Sequence, residues 1–165
     1  MTFFRIKKIK GKEYAYLVEN EWKKKGSRQK VKGYLGRAYR FDLVNNVDFL
    51  QYYKIENTQS YVENNDKNKI LNDLIEWELF KFGIKREEFR IDLSNMKIKK
   101  KKKNVALLVN DGFMCWFSLR NLIEFKPEGD EQSDGYRLAR AFVEAGIKVP
   151  QEVFVGLFSK LYKTN

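Results

Sequence analysis

The chain has 165 residues, 43% of them hydrophobic and 33% charged, with a formal net charge of +11 and no histidine. Its 13 Phe, 9 Tyr and 3 Trp exceed what a disordered chain carries, and its longest apolar runs, Val105 to Val109 and Phe113 to Phe117, are far short of the ~18 residues of a membrane span. These values exclude Ser-His, Cys-His and His-ligated metal chemistry, and a folded protein of a reducing, cytoplasmic compartment is expected, with neither export signal nor membrane partner.

The charge is segregated along the chain. Residues 1–40 hold 13 Lys/Arg against 3 Asp/Glu and residues 96–126 hold 8 against 2, whereas residues 41–95 hold 7 against 11 and residues 127–165 hold 5 against 6. Charge added only for solubility would not alternate in blocks; a polyanion-binding surface gathers its cations this way.

The first forty residues are predicted to form an antiparallel meander. Phe3 to Ile9 is the first strand, Lys10-Gly11-Lys12 a turn, Glu13 to Trp22 the second strand, Lys23 to Ser27 a second turn, and Arg28 to Leu35 the third strand. If Phe4, Ile6, Ala15, Leu17, Val31 and Leu35 face inward, alternation puts Arg5, Lys7, Tyr14, Tyr16, Lys30, Lys32 and Tyr34 outside, flanked by Arg28 and Arg37. Cations neutralise phosphates and exposed rings stack on unpaired bases, so this mixture suits RNA or single-stranded DNA. The other reading makes the tyrosines the edge of the core.

Residues 38–66 are irregular and aromatic, and short helical turns are expected there. Lys67 to Phe82 reads as a core helix, with Ile70, Leu71, Leu74, Ile75, Leu79 and Phe82 at three- and four-residue spacing, Asn64 or Asp66 as cap and Gly83 as stop. Glu88 to Leu93 alternates as a strand, with a partner from Met96. Val105 to Val109 and Phe113 to Phe117 flank the turn Asn110-Asp111-Gly112, which predicts a second sheet or hairpin. Between them, Lys97, Lys99, Lys100, Lys101, Lys102 and Lys103 repel one another and read as an exposed loop or strand extension, an electrostatic anchor without sequence preference. Ser118 is expected to cap a helix through Phe125, Asp134 a helix ending near Ala145, and Pro150 to open the last helix. The fold class is α+β: an N-terminal antiparallel β-meander, a central helix, a second antiparallel sheet or hairpin, and a helical C-terminal end. Residues 1–40 form a basic module on an α+β body of residues 41–165, or the two make one continuous domain.

Catalytic signals are weak. No phosphate-binding glycine loop is present, and Cys115, among Phe113, Met114, Trp116 and Phe117, reads as a small buried hydrophobe. The stretch from Asp130 to Gly135 resembles the start of a calcium loop, but Ala141 stands where the closing Glu is needed. The acids Glu76, Glu78, Asp92 and Asp111 show no spacing that marks a shared site. No catalytic residue, metal or cofactor is therefore expected.

Residues 9–20, IKGKEYAYLVEN, followed by Arg28-Gln29-Lys30-Val31 and Tyr34-Leu35-Gly36, resemble the opening of DDE-type insertion-sequence transposases and of uncharacterised archaeal proteins. The resemblance covers the N-terminal quarter. It implies a basic meander used near nucleic acid, without the ribonuclease-H-like catalytic core, for which the remaining length is too short. The leading expectation is a non-enzymatic nucleic-acid-binding protein. The alternative is a protein-interaction or self-association module using the C-terminal stripe Val153, Phe154, Leu157, Phe158 and Leu161; a third is a divergent metal-dependent nuclease.

Overall fold

The computed structural model describes residues 2–163. The meander forms as the local chemistry requires. Strand β1 (Thr2–Ile9) turns through Lys10 and Gly11, both at positive φ, into β2 (Lys12–Lys23), and a Lys24-Lys25 turn leads into β3 (Gly26–Arg40). β3 runs five residues past the expected end at Leu35, and that extension organises the fold. Its last four residues, Arg37–Arg40, pair in parallel with Val105–Leu108 of β6 (Lys103–Val109). The second set of strands is therefore not a separate sheet: β4 (Arg90–Asp92), β5 (Lys97–Lys100), β6 and β7 (Gly112–Met114) join the meander in one seven-stranded mixed sheet, ordered β1-β2-β3-β6-β5-β4 with β7 on β6.

β6 is central because it is apolar on both faces, as a parallel-paired strand must be. Val105, Leu107 and Val109 enter the larger core, while Ala106 and Leu108 belong to a smaller one with Ala15, Leu17, Leu35, Ala38 and Cys115. The β6–β7 turn is the expected tight one, with Asn110 and Asp111 both at positive φ. The lysine run, expected as an exposed loop or strand extension, takes the second form: Lys97–Lys100 and Lys103 belong to the paired strands β5 and β6, with Lys101 and Lys102 as the turn between them. Ile98 is fully buried, and the Lys100 ammonium lies 4.9 Å from the ring centre of Tyr39 and 5.0 Å from that of Phe89. Alternation sends successive lysines to opposite faces, and ring faces hold one of them, which relieves the repulsion that argued against a strand.

The larger core is built around α3 (Lys67–Lys81), capped by Asp66 and stopped by Gly83 as expected, with the short helices α1 (Phe49–Tyr52) and α2 (Thr58–Asn64) before it. Two buried acids fasten α3. Asp73 accepts from the Tyr61 hydroxyl at 2.8 Å, and Glu78 accepts from Asn110 Nδ2 and from the Lys148 backbone N–H, each at 2.8 Å, beside the Lys81 ammonium at 3.0 Å. Burial together with Asp73 pushes the Tyr61 phenol far above its ordinary range.

The C-terminal half is helical, with shifted starts. α4 (Trp116–Ile123) is entered from Cys115, and Ser118 lies inside it, its hydroxyl accepting from the Cys115 N–H. α5 (Glu131–Glu144) is capped by Asp130 instead of Asp134. Asp134 is buried one turn in and accepts from the N–H groups of Glu128 and Gly129, with the Tyr162 hydroxyl donating to it and holding its carboxyl below the usual range. The calcium-like stretch is thus a capped helix entry. α6 (Gln151–Lys163) begins after Pro150 and spends its apolar stripe inside, with Val153 and Leu157 fully buried and Phe154, Phe158 and Leu161 packed on the same core. No helix among the described residues is long and apolar enough to cross a membrane.

The β3–β6 junction requires Gly36. It has φ +116, and a Cβ there would lie 2.1 Å from the Asn104 carbonyl oxygen, whereas one at Gly33 meets nothing closer than 4.0 Å. Gly36→Ala is expected to lower stability by about 2 kcal/mol or more, whereas Gly33→Ala is expected to leave it unchanged or raise it by up to about 1 kcal/mol. Chemical denaturation measures both; equal midpoints would show that the junction tolerates separation.

Candidate functional site

Cross-strand partners share a sheet face, so the register sorts the side chains of the meander. Tyr14, Tyr16, Val18 and Trp22 of β2 share one face with Arg5 and Lys7 of β1 and with Val31, Tyr34 and Arg37 of β3. Glu13, Glu19 and Glu21 lie on the reverse, where Ala15 and Leu17 reach the smaller core. Residues 1–40 contain no other acid. The front of the meander is therefore free of carboxylates.

Each acid on the reverse is engaged. Glu13 takes a bidentate pair of hydrogen bonds from Arg40 at 2.6 and 3.1 Å, Glu19 meets Lys32 at 2.9 Å, and Glu21 meets Lys30 at 3.2 Å and Lys23 at 3.9 Å. The bond from Arg40 holds the Glu13 carboxyl below its ordinary value; that from Lys32 does the same for Glu19, while Glu19 raises the Lys32 ammonium. All four groups keep their charges at neutral pH.

Two irregularities in the β2–β3 register decide this sorting. Ala15 pairs with Gly36 but Tyr16 with Tyr34, leaving Leu35 as an extra residue; Leu17 pairs with Gly33 but Val18 with Val31, leaving Lys32 as another. Such bulges break strict alternation. Val31, expected inward, is consequently on the front and 47% exposed. Of the expected outer set, Lys30 and Lys32 turn to the acidic reverse together with Arg28, which pairs with Glu21, whereas Arg5, Lys7, Tyr14, Tyr16, Tyr34 and Arg37 share the front.

The front continues across the β3–β6 junction. Arg37 opposes Val105, and Lys103, two residues before Val105, pairs with Lys100, so Lys100 and Lys103 stand on the tyrosine side while Lys99, paired with Asn104, points to the other, as does Lys97. An open groove of about 890 Å³ results, lined by Lys12, Tyr14, Tyr34, Arg37, Tyr39 and the turn from Lys100 to Asn104. Residues of the two basic segments, sixty residues apart along the chain, thus line one groove.

Within it the rings are clustered and partly cationic. Tyr34, 54% exposed, lies 5.3 Å from Tyr16 and 6.4 Å from Tyr14 between ring centres, and burial of its inner side raises its phenol above the ordinary value. Lys7 sits over Tyr16 at 4.8 Å, and Arg37 over Tyr39 at 4.9 Å. Glu88, 3.9 Å from Lys100, approaches from outside the sheet. Lys12 and Tyr39 are groove residues that the sequence reading omits; extending the Arg37-Ala38-Tyr39 alternation past Leu35 is the signal that finds Tyr39.

Three of the scattered acids are engaged by other side chains. Glu76 pairs with Arg86, Glu78 is buried with Lys81, and Asp92 is held by Asn95; among the described residues no group of three or more His, Cys, Asp or Glu side chains is placed to hold a metal. No family model, curated protein or solved structure matches this chain.

A surface of this kind attracts polyanions to one face of the sheet. On titration with heparin, the amide signals of Arg37 and Lys100–Lys103 are expected to shift more than those of Arg28, Lys30 and Lys97. Equal shifts on the two faces would mean that total charge, and not its sorting, governs attraction.

Proposed function

We propose that this protein binds nucleic acid without catalysis, gripping an unpaired strand in the groove between β3 and the β5–β6 turn. The observation that carries the reading is the carboxylate-free front face, which sets cations beside clustered, accessible tyrosine rings. Cations alone would take any polyanion. Rings among them add a contact that only unpaired bases satisfy, because each base offers a π-face and a duplex hides it. The likeness of residues 9–36 to the opening of insertion-sequence transposases points the same way. The C-terminal stripe offers an interaction module little to work with, since the core occupies it.

Eight cations face this path: Arg5, Lys7, Lys12, Arg37 and Lys100–Lys103. With about 0.7 counterions released per phosphate on single strands, the slope of log affinity against log salt is expected to be negative and no steeper than about −6. Replacing Tyr14, Tyr16 and Tyr34 with Leu should preserve that slope and duplex affinity. Single-strand affinity should fall about five-fold or more, one base–ring stack being worth ~1–3 kcal/mol. Fluorescence anisotropy on matched single-stranded and duplex oligonucleotides, with melting to establish folding, reads both quantities. Equal losses on the two ligands would leave charge as the only contact, and a flat salt dependence would remove the reading altogether.

The absence of catalysis is tested separately. Oligonucleotides incubated with the protein and magnesium or manganese are expected to be recovered intact, because Glu76, Glu78 and Asp92 are each engaged by a different partner and no group of three acids among the described residues is placed to hold a metal. Cleavage abolished by changing one acid would establish a nuclease.

A further inference from the structure

The β2–β3 hairpin carries the front face well beyond the groove. Its tip is the two-residue turn Lys24-Lys25 between the pair Lys23 and Gly26, and the pair just before it sets Trp22 opposite Ser27. Trp22 is 83% exposed, more than any other large apolar side chain among the described residues. An indole left this open contributes little to folding, since the hydrophobic gain depends on area removed from water. A ring that stacks on a base needs such openness.

Three features tie Trp22 to the groove. It shares a face with Tyr14 and Tyr16, because β2 has no extra residue between them; both bulges are in β3. Polar, uncharged Asn20 and Gln29 lie between, paired with each other, while Glu19 and Glu21 stand on the reverse against Lys32 and Lys30. The tip supplies its own cations in Lys24 and Lys25. Eight residues of strand separate Tyr14 from Trp22, a distance of roughly 26 Å at ~3.3 Å per residue, which is the length of about eight stacked nucleotides at ~3.4 Å each.

We propose that the β2–β3 arm is a second contact point for the single strand held in the groove, with Trp22 stacking on an unpaired base near the hairpin tip. This rests on the nucleic-acid reading of the groove and adds a ligand length to it. A strand too short to reach the tip engages the groove alone; a longer one engages both.

The test uses the full chain with oligothymidylates of about 4 and about 16 nucleotides, the span of known single-strand sites, for the wild type, Trp22→Ala and Trp22→Phe. Trp22→Ala is expected to weaken the longer ligand about five-fold or more, the lower limit for one base–ring stack, and to leave the shorter unchanged. Trp22→Phe, which keeps a ring, should retain most of the longer ligand's affinity. An unchanged affinity for the longer strand, or equal losses at both lengths, would overturn the arm while short-strand binding by the wild type leaves the groove reading standing. A larger loss on duplex than on single strand would also overturn it, by making Trp22 a wedge between base pairs. So would oligonucleotide binding unaffected by Trp22→Ala together with loss of binding to phosphatidylserine–phosphatidylcholine vesicles, which would assign the indole to a membrane surface. A wild type that binds neither strand length would refute both readings at once.

Discussion

The parallel pairing of Arg37–Arg40 with Val105–Leu108 is the contact on which the arrangement depends. A meander of three strands is stable only with an apolar face to bury, and its smaller core is completed by residues from beyond it, Ala106 and Cys115. The same pairing brings the Lys100–Lys103 turn beside Tyr14 and Tyr34. It forms only because the backbones approach closely at Gly36, where any side chain would meet Asn104. Core completion and site assembly are therefore one event: whatever separates β3 from β6 opens the smaller core and disperses the groove together.

Sorting charge between two faces of one sheet needs no special residue, only the pleat. Acids at odd positions of β2 and rings at even ones are separated by the two-residue period of a strand. The cost falls on the reverse, where three acids must share a surface with an apolar cluster, and there cross-strand cations meet them. The central helix follows a different rule. Its acids Asp73 and Glu78 are buried, so they are matched by several donors each, from Tyr61 and Lys69 in one case and from Asn110, Lys81 and the Lys148 backbone in the other.

Much of this was legible in the residues. Periodicity identified α3 and its ends, Lys10-Gly11 and Asn110-Asp111 announced their turns, and the continuous apolar run of β6 is what a strand covered on both faces requires. What escaped is what local pattern does not encode. Strict alternation puts Lys30, Lys32 and Tyr34 together, and it fails because Lys32 and Leu35 are extra residues in β3; a bulge has no fixed signature, since its position is set by what the partner strand and the core demand. The place of the lysine run is only partly legible, for a related reason. Its repulsion is local, but the Tyr39 and Phe89 rings that hold Lys100 are brought by distant segments. The union of the two basic segments is equally hidden, because it depends on a parallel pairing of residues 68 apart in the chain.

The ion pairs on the reverse face acquire their meaning from this. Pairs as exposed as Glu19–Lys32 and Glu21–Lys30 add little to stability, since solvent screens them and two long side chains must be held still. Their value is positional. The Lys32 bulge, which exposes Val31 on the front, also delivers Lys32 to Glu19 on the reverse, while the Leu35 bulge sets Tyr34 opposite Tyr16 in front. A regular β3 would bring Leu35 opposite Tyr16 and remove Tyr34 from the row of rings. The pleat of β2 keeps the front free of carboxylates, and the bulges of β3, rather than the amount of positive charge, add Tyr34 to its row of rings.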